Sequence, residues 1–153
     1  MFRGANKVTL DAKGRMAMPA RYRDFLVERS EGRRVATVDQ ADRCLLIYPL
    51  PDWEEIERKL MRLPTLNPQV RRLQRLMVGH ATDLELDSHG RVLVPPKLRE
   101  YAGLSRQAML IGQGSRFELW DEQHWNERRD EWLRAGEETG ELPLLLDEAA
   151  GFY

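Results

Sequence analysis

One ten-residue phrase occurs twice in this chain: LDAKGRMAMP begins at Leu10 and LDSHGRVLVP begins at Leu86. At an offset of 76, six of the fourteen positions from Leu10 to Arg23 are identical. Leu10, Asp11, Gly14, Arg15, Pro19 and Arg23 match Leu86, Asp87, Gly90, Arg91, Pro95 and Arg99. The likeness resumes at an offset of 72, where CLLIYPLPDW parallels RFELWDEQHW and aligns Leu45 with Phe117, Ile47 with Leu119, Tyr48 with Trp120 and Trp53 with Trp125. A copy of about 45 residues is too small to bury a stable core alone, so the repeat predicts two like units that interlock.

Within each copy the pattern predicts strand, tight turn, strand, short helix and then another hairpin. Val8, Leu10, Met16 and Met18 alternate with Thr9, Arg15 and Ala17, as a half-buried strand pair requires. Asp11 begins the turn, where its carboxylate can cap backbone N–H groups, and Gly14 stands where a short hairpin loop needs positive φ. Asp87 and Gly90 occupy the same places in the second copy. Pro19 and Pro95 stop the second strand and start a helical turn, with Tyr22, Phe25, Leu98 and Tyr101 facing inward. The second hairpins are RVATVDQADRCLLIYP and QAMLIGQGSRFELW; in the latter GQGS precedes a strand instead of a helix, which argues against a phosphate-cradling loop.

Helices separate and follow the copies. DWEEIERKLMRL, capped by Asp52, places Trp53, Ile56, Leu60 and Leu63 on one face. NPQVRRLQRLMVG has Asn67 as N-cap and Pro68 at the first helical position, with Val70, Leu73 and Met77 inward and Arg71, Arg72 and Arg75 outward. A third helix opens at Asp121 and carries Trp125, Trp132 and Leu133, expected to pack in the core or against another subunit. From Glu137 the chain is acidic, with LPLLL as its apolar run, and an irregular tail is expected. The expected divisions are repeat 1 over 5–52, a helical connector over 53–80, repeat 2 over 81–124, and a C-terminal helix with acidic tail over 125–153.

The 153 residues, 42% hydrophobic, suit one globular body. Cys44, the one cysteine, excludes an intramolecular disulfide, and its apolar setting reads as core. His80, His89 and His124 lack metal-ligand spacing with each other or with Cys44. No nucleophile elbow, zinc motif or phosphate loop is present, so no catalytic residue, metal, cofactor or small-molecule substrate is expected. No apolar stretch reaches bilayer length and MFRGANKV has no signal-peptide pattern, which predicts a cytoplasmic chain away from membranes. The net charge of −1 hides a split: residues 1–80 hold 16 Lys or Arg against 10 acids, and the remainder holds 8 against 15. Such polarity lets one face meet a polyanion while the other keeps the molecule soluble.

Hairpin geometry accounts for the repeated Asp and Gly, and helix initiation accounts for Pro. Neither requires arginine. Arg15 and Arg91 leave the turn on the polar face of the second strand, and a surface Asp–Arg pair adds little stability. A guanidinium fixed beside a rigid hairpin suits phosphate or the O6 and N7 edge of guanine, with the carboxylate holding its orientation.

LDAKGRMAMPARYR and LDSHGRVLVPPKLR resemble the looped hairpin of SpoVT/AbrB-type DNA-binding domains. With MFRGA at the start and CLLIYPLPDWEEIERKL, the chain resembles the MraZ family along nearly its whole length. The resemblance implies an α+β fold in which two tandem swapped-hairpin, AbrB-like β units form an intrachain pseudo-dimeric barrel with flanking helices. It implies a sequence-specific transcriptional regulator in the cytoplasm and nucleoid, a repressor and autoregulator of the division and cell-wall gene cluster. The partners implied are double-stranded promoter DNA with short G-rich direct repeats, and further copies of the chain in a homo-oligomeric ring. Carried over residue by residue, Arg15 and Arg91 contact DNA, and Asp11, Gly14, Asp87 and Gly90 support them. Lys13 matches a basic position of the first motif, and His89 stands there in the second. Lys13 and Lys7 are expected to neutralise phosphates. An antitoxin-like protein-interaction module, docking a partner through the acidic C-terminal half, is the alternative.

Overall fold

The interlock expected from the repeat can be followed strand by strand in a computed structural model, which describes residues 1–139. The first copy folds as β1 (Phe2–Thr9), β2 (Arg15–Ala17), α1 (Ala20–Ser30), β3 (Arg34–Val38) and β4 (Leu45–Pro49). Two helices follow, α2 (Leu50–Met61) and α3 (Pro68–Met77). The second copy is β5 (Thr82–Leu84), β6 (Arg91–Leu93), α4 (Pro96–Tyr101), β7 (Gln107–Gly114) and β8 (Arg116–Asp121), and α5 (Glu122–Thr139) ends the described residues. The strands form a six-stranded antiparallel sheet in the order β1-β7-β8-β4-β3-β5 and a separate two-stranded ribbon, β2-β6. Among the described residues the larger sheet stays open, with β1 and β5 at its edges.

Each strand of the first copy has a ladder with a strand of the second. β1 pairs with β7 along its whole length, β3 with β5, β4 with β8 and β2 with β6. The last two ladders reveal a local twofold. Met16 lies opposite its repeat equivalent Val92, while Arg15 faces Leu93 and Ala17 faces Arg91. Leu46 likewise faces Glu118, with Leu45 opposite Leu119 and Ile47 opposite Phe117. One expectation changes here. β1 and β2 alternate as predicted, but they share only the isolated bridge between Leu10 and Met16, and their full ladders run to the other copy. The turn consumes the residues next to it, so each leg finds its longer partner across the dyad.

The core is built from both copies. Met16, Met18, Leu26, Val92, Val94 and Leu110 are buried in one cluster, each such side chain contributing roughly 1.5–3 kcal/mol when removed from water. Phe2 joins it through edge contacts with Tyr22 and Phe25 and a closer tilted contact, 3.9 Å between centroids, with Phe117. A second cluster of Val35, Leu46, Tyr48 and Trp53 lies under α2 and the end of α3, with Ile56 and Met77 packed on it.

Helix starts follow the prolines more closely than the acids. Pro19, Pro49 and Pro95 are the residues immediately before α1, α2 and α4. Asp52 is therefore inside the first turn of α2, not its cap, and its carboxylate takes Arg29 Nε at 2.7 Å and Nη2 at 2.8 Å. Leu63 lies past the end of α2 and is exposed, so it leaves the predicted stripe. Asn67 does cap α3, accepting the backbone N–H of Gln69 at 2.8 Å. Val70, Leu73 and Met77 are only half-buried, while Arg71, Arg72 and Arg75 are exposed.

The chain divides into two compact units, Met1–Glu122 and a second beginning at Gln123. In the second unit α5 continues to Thr139, beyond Glu137 where an irregular tail was expected. Its Trp125 and Trp132 rings meet edge-on at 5.9 Å, and Arg128 lies 5.1 Å from the Trp132 ring. Trp132 and Leu133 are exposed in the single chain, so of the two expected roles, core or subunit packing, they do not serve the chain's own core. The LPLLL run falls outside the described residues. No helix among those described is long and apolar enough to cross a membrane.

Candidate nucleic-acid interface

The two repeated turns have the same internal wiring. In the first, Asp11 Oδ1 accepts the backbone N–H groups of Lys13 and Arg15, both at 2.9 Å, while Oδ2 accepts Arg15 Nε at 2.8 Å. In the second, Asp87 Oδ1 accepts His89 N–H at 2.8 Å and Arg91 N–H at 2.9 Å, and Oδ2 accepts Arg91 Nε at 3.0 Å. The aspartate thus serves as both turn cap and arginine clamp. Gly14 and Gly90 donate back to Asp11 and Asp87 carbonyls and sit at φ +84° and +72°, the left-handed region where a Cβ is unfavourable.

These bonds fix the carboxylates in their charged form. The backbone N–H of Arg15 is the main cause that holds Asp11 at about 2, well below its ordinary 3.8, with further lowering by the Arg15 guanidinium and the Lys13 N–H. Asp87 is lowered too, chiefly by the N–H of Arg91.

Each arginine spends one donor on its aspartate. For Nη1 and Nη2 of Arg15 and Arg91 there is no partner among the described residues. Two parallel donors remain on each guanidinium, the fork that matches a carboxylate, a phosphate or the guanine O6/N7 edge. Both side chains are about one-third exposed, enough to meet a ligand and enough covered to be held.

The ribbon sets the two arginines on one face. Met16 and Val92 turn into the core, so Arg15, Ala17, Arg91 and Leu93 share the outer face of β2-β6. Arg15 and Arg91 are diagonal neighbours there, about 7–8 Å apart in such a ladder. Met18 N–H donates to Gly90 carbonyl at 3.3 Å and Val94 N–H to Gly14 carbonyl at 2.9 Å, stitching each turn to the other copy.

Of the residues selected from sequence, Asp11, Lys13, Gly14 and Arg15 fall in one turn, and Asp87, Gly90 and Arg91 in the other. Lys7 does not join them. It lies on β1 opposite Met109, and its ammonium is 3.3 Å from the Glu122 carboxylate. His89 occupies the place of Lys13, with its ring 3.3 Å from Ser88 Oγ.

Two residues passed over in the sequence belong to the site. A Cβ on Gly14 would stand 2.5 Å from Arg99 Nε, and one on Gly90 would fall against Arg23 Nη1. Each turn is covered by the helix arginine of the other copy. Arg23 and Arg99 were already the last identity in the repeat alignment; the crossing of the chain that gives them a role was not visible. Beside the first turn lies a cleft of about 640 Å³, lined by Asp11, Ala12, Arg99, Ser105 and Arg106 among others.

A second polar cluster lies apart from the ribbon. Asp39, Cys44 and Glu118 bring ligand atoms within 4.8 Å of one another. Internal bonds engage it: Glu118 takes Trp120 Nε1 at 3.1 Å and Arg116 at 3.5 Å, and Cys44 Sγ is 3.6 Å from Asp39. Burial first, then Glu118 and Asp39, push the Cys44 thiol far up, which opposes a thiolate nucleophile.

The fold and the paired turns define a tandem-repeat α+β protein whose two copies share one core and present one ribbon. Comparison with known proteins agrees with that class. The MraZ family model, described as an antitoxin-like protein family, matches residues 1–76 and again residues 77–142. A protein of Halorhodospira halophila is 57% identical over 98% of this chain and 99% of its own length. One of Thioalkalivibrio sulfidiphilus is 59% identical over 96% and 97%, and one of Pseudomonas aeruginosa 57% over 94% and 95%. All three carry the name transcriptional regulator MraZ. The chain belongs to the MraZ family.

Proposed function

We propose that this protein is a sequence-specific DNA-binding transcriptional regulator that docks its β2-β6 ribbon in the major groove. The observation that carries the reading is the pair of aspartate-clamped guanidiniums, each with two free donors, on one exposed ladder. The major groove admits a two-stranded ribbon, and bidentate arginine is its commonest guanine contact. The two arginines are set about 7–8 Å apart on the ribbon backbone and each guanidinium is drawn toward its own turn, so Arg15 and Arg91 can address guanines two or more base steps apart. Lys13, beside Arg15, adds a phosphate contact. Lys7 contributes by exchanging Glu122 for phosphate.

The finer parts of the reading come from the family likeness. The target is short G-rich direct repeats in the protein's own promoter, ahead of the division and cell-wall gene cluster, where it acts as repressor and autoregulator. Repeats 5–52 and 81–124, joined by 53–80 and followed by 125–153, form a swapped-hairpin barrel that mounts the ribbon. Several chains in a ring engage adjacent repeats, and linkage lets individually modest contacts sum to useful affinity. Its place is the cytoplasm, on the nucleoid.

A footprint of the purified protein on the DNA upstream of its coding region tests this reading. Protection at evenly spaced short elements, lost in Arg15→Ala with assembly retained, is expected; undiminished protection by that variant removes Arg15 from the site. The family description as antitoxin-like favours a second reading. It requires a stoichiometric protein partner in pull-downs from native cells and no promoter footprint.

A further inference from the structure

The outer face of the ribbon is not uniformly polar. Leu93 is 51% exposed on it, although its ladder neighbours Val92 and Val94 are fully buried. It lies directly opposite Arg15, in a ladder where the flanking pairs Gly14–Val94 and Met16–Val92 point the other way. A lone exposed leucine is ordinary on a protein surface. This one stands opposite Arg15 and two residues along its strand from Arg91, on the surface proposed above to enter the major groove.

Base edges in that groove present hydrogen-bond donors and acceptors, with one apolar group among them, the C5-methyl of thymine. We propose that Leu93 reads a thymine methyl beside the base addressed by Arg15; this rests on the DNA-binding reading. The position related to it by the internal twofold is Ala17, opposite Arg91. The two halves of the ribbon therefore differ: Arg15 has Leu93 and Lys13 beside it, whereas Arg91 has Ala17 and His89. A reader with unequal halves distinguishes the two orientations of a site, as elements arranged in the same direction demand and palindromic ones do not. Leu93 is also the cross-strand partner of Arg15, and a packing role alone would make no distinction between DNAs that differ by a methyl group.

The experiment uses the full chain and the duplex immediately upstream of its coding region, amplified once with dTTP and once with dUTP. The second duplex lacks every thymine methyl and keeps the hydrogen-bonding edges. In mobility-shift titrations, wild-type protein should bind the uracil duplex at least about fourfold more weakly, the factor that corresponds to burying one methyl group. An unrelated duplex made in both forms should be bound equally. Leu93→Ala should weaken binding to the thymine duplex and abolish the difference between the two forms, with an unchanged thermal unfolding curve. Equal wild-type affinity for both promoter duplexes overturns the inference while leaving promoter binding intact. A difference that persists undiminished in Leu93→Ala also overturns it, by locating the methyl contact elsewhere. Absence of any preference for the promoter over unrelated DNA removes the underlying reading and this inference with it.

Discussion

Arg99, on the helix of the second copy, covers the α-carbon of Gly14 in the turn of the first: its Nε, Cζ and Cδ lie 2.5–2.9 Å from where a Cβ would stand. Arg23 does the same for Gly90 in the opposite direction. Positive φ requires the glycines, and an arginine of the other copy lies over each, so that a Cβ would also have to displace that side chain. The exchange also explains why a single copy is insufficient, since each turn is completed by a residue that belongs to the other.

Gly14→Ala should destabilise the fold. The left-handed conformation costs a non-glycine residue about 1–3 kcal/mol, and Arg99 must move to admit the methyl. A drop of several degrees in Tm is expected in a calorimetric scan. Gly14→Asn should cost less in φ, because asparagine tolerates that region, and still meet Arg99. An alanine variant as stable as the parent would show that the turn has another accessible conformation.

Arg99→Ala should loosen the first turn and spare the second. The side chain donates Nε to the Val94 carbonyl at 3.0 Å, next to the ladder bond from Val94 to Gly14. Losing it is worth about 0.5–1.5 kcal/mol, or two- to tenfold faster amide exchange at Gly14 and Arg15. Arg23→Ala should reverse the pattern, affecting Gly90 and Arg91. Hydrogen exchange followed residue by residue checks both; equal acceleration at the two turns would contradict the crossed arrangement.

Much of this was legible from the repeat. Spacing placed Asp11, Gly14 and Pro19 in their roles because local chemistry fixes them: a cap, a positive φ and a helix start. The interlock followed from size. What was not legible depends on residues far apart in sequence. The alternation of Val8, Leu10, Met16 and Met18 identified strands but could not tell an intrachain hairpin from legs that pair across a dyad. Arg23 and Arg99 are visible in the sequence only as an identity of the repeat, and the crossing of the chain sets them over glycines. Lys7 looked like one more cation near the turn, and only β1 pairing with β7 brings it to Glu122. Asp52 has the chemistry of a cap, but Pro49 and Pro51 start the helix before it.

The clamp has a pH signature. An Asp11 carboxyl that titrates at about 2, against 3.8 when unfolded, means that the unfolded chain takes up its proton first as acid is added. The stabilisation is therefore complete above about pH 4, falls between 3.8 and about 2, and is gone below. Asp87 shifts in the same direction for the same reason. Carbon-detected NMR titration of the Asp11 carboxyl should show this low midpoint. In Asp11→Asn, which keeps the side-chain acceptor for the turn N–H groups and loses the charge beside Arg15, the corresponding acid-dependent loss of stability should disappear. A midpoint near 3.8 would mean that the three hydrogen bonds do not persist in solution.

Arg15→Lys separates base reading from charge. If Arg15 supplied only charge, lysine would replace it with no loss, because both carry one positive charge. A fork held by Asp11 through Nε, with Nη1 and Nη2 left for a base edge, cannot be reproduced by an ammonium. The variant should therefore lose about 1–3 kcal/mol of discrimination between promoter and unrelated DNA, while the slope of log affinity against log salt stays nearly constant. Lys13→Ala should do the converse: affinity for both DNAs falls together and the slope becomes shallower by about 0.9, the change associated with one phosphate contact. Titrations of both duplexes across a range of salt concentrations distinguish the two outcomes. Unchanged promoter preference in Arg15→Lys would assign that guanidinium to phosphate and leave base recognition to other residues on the ribbon.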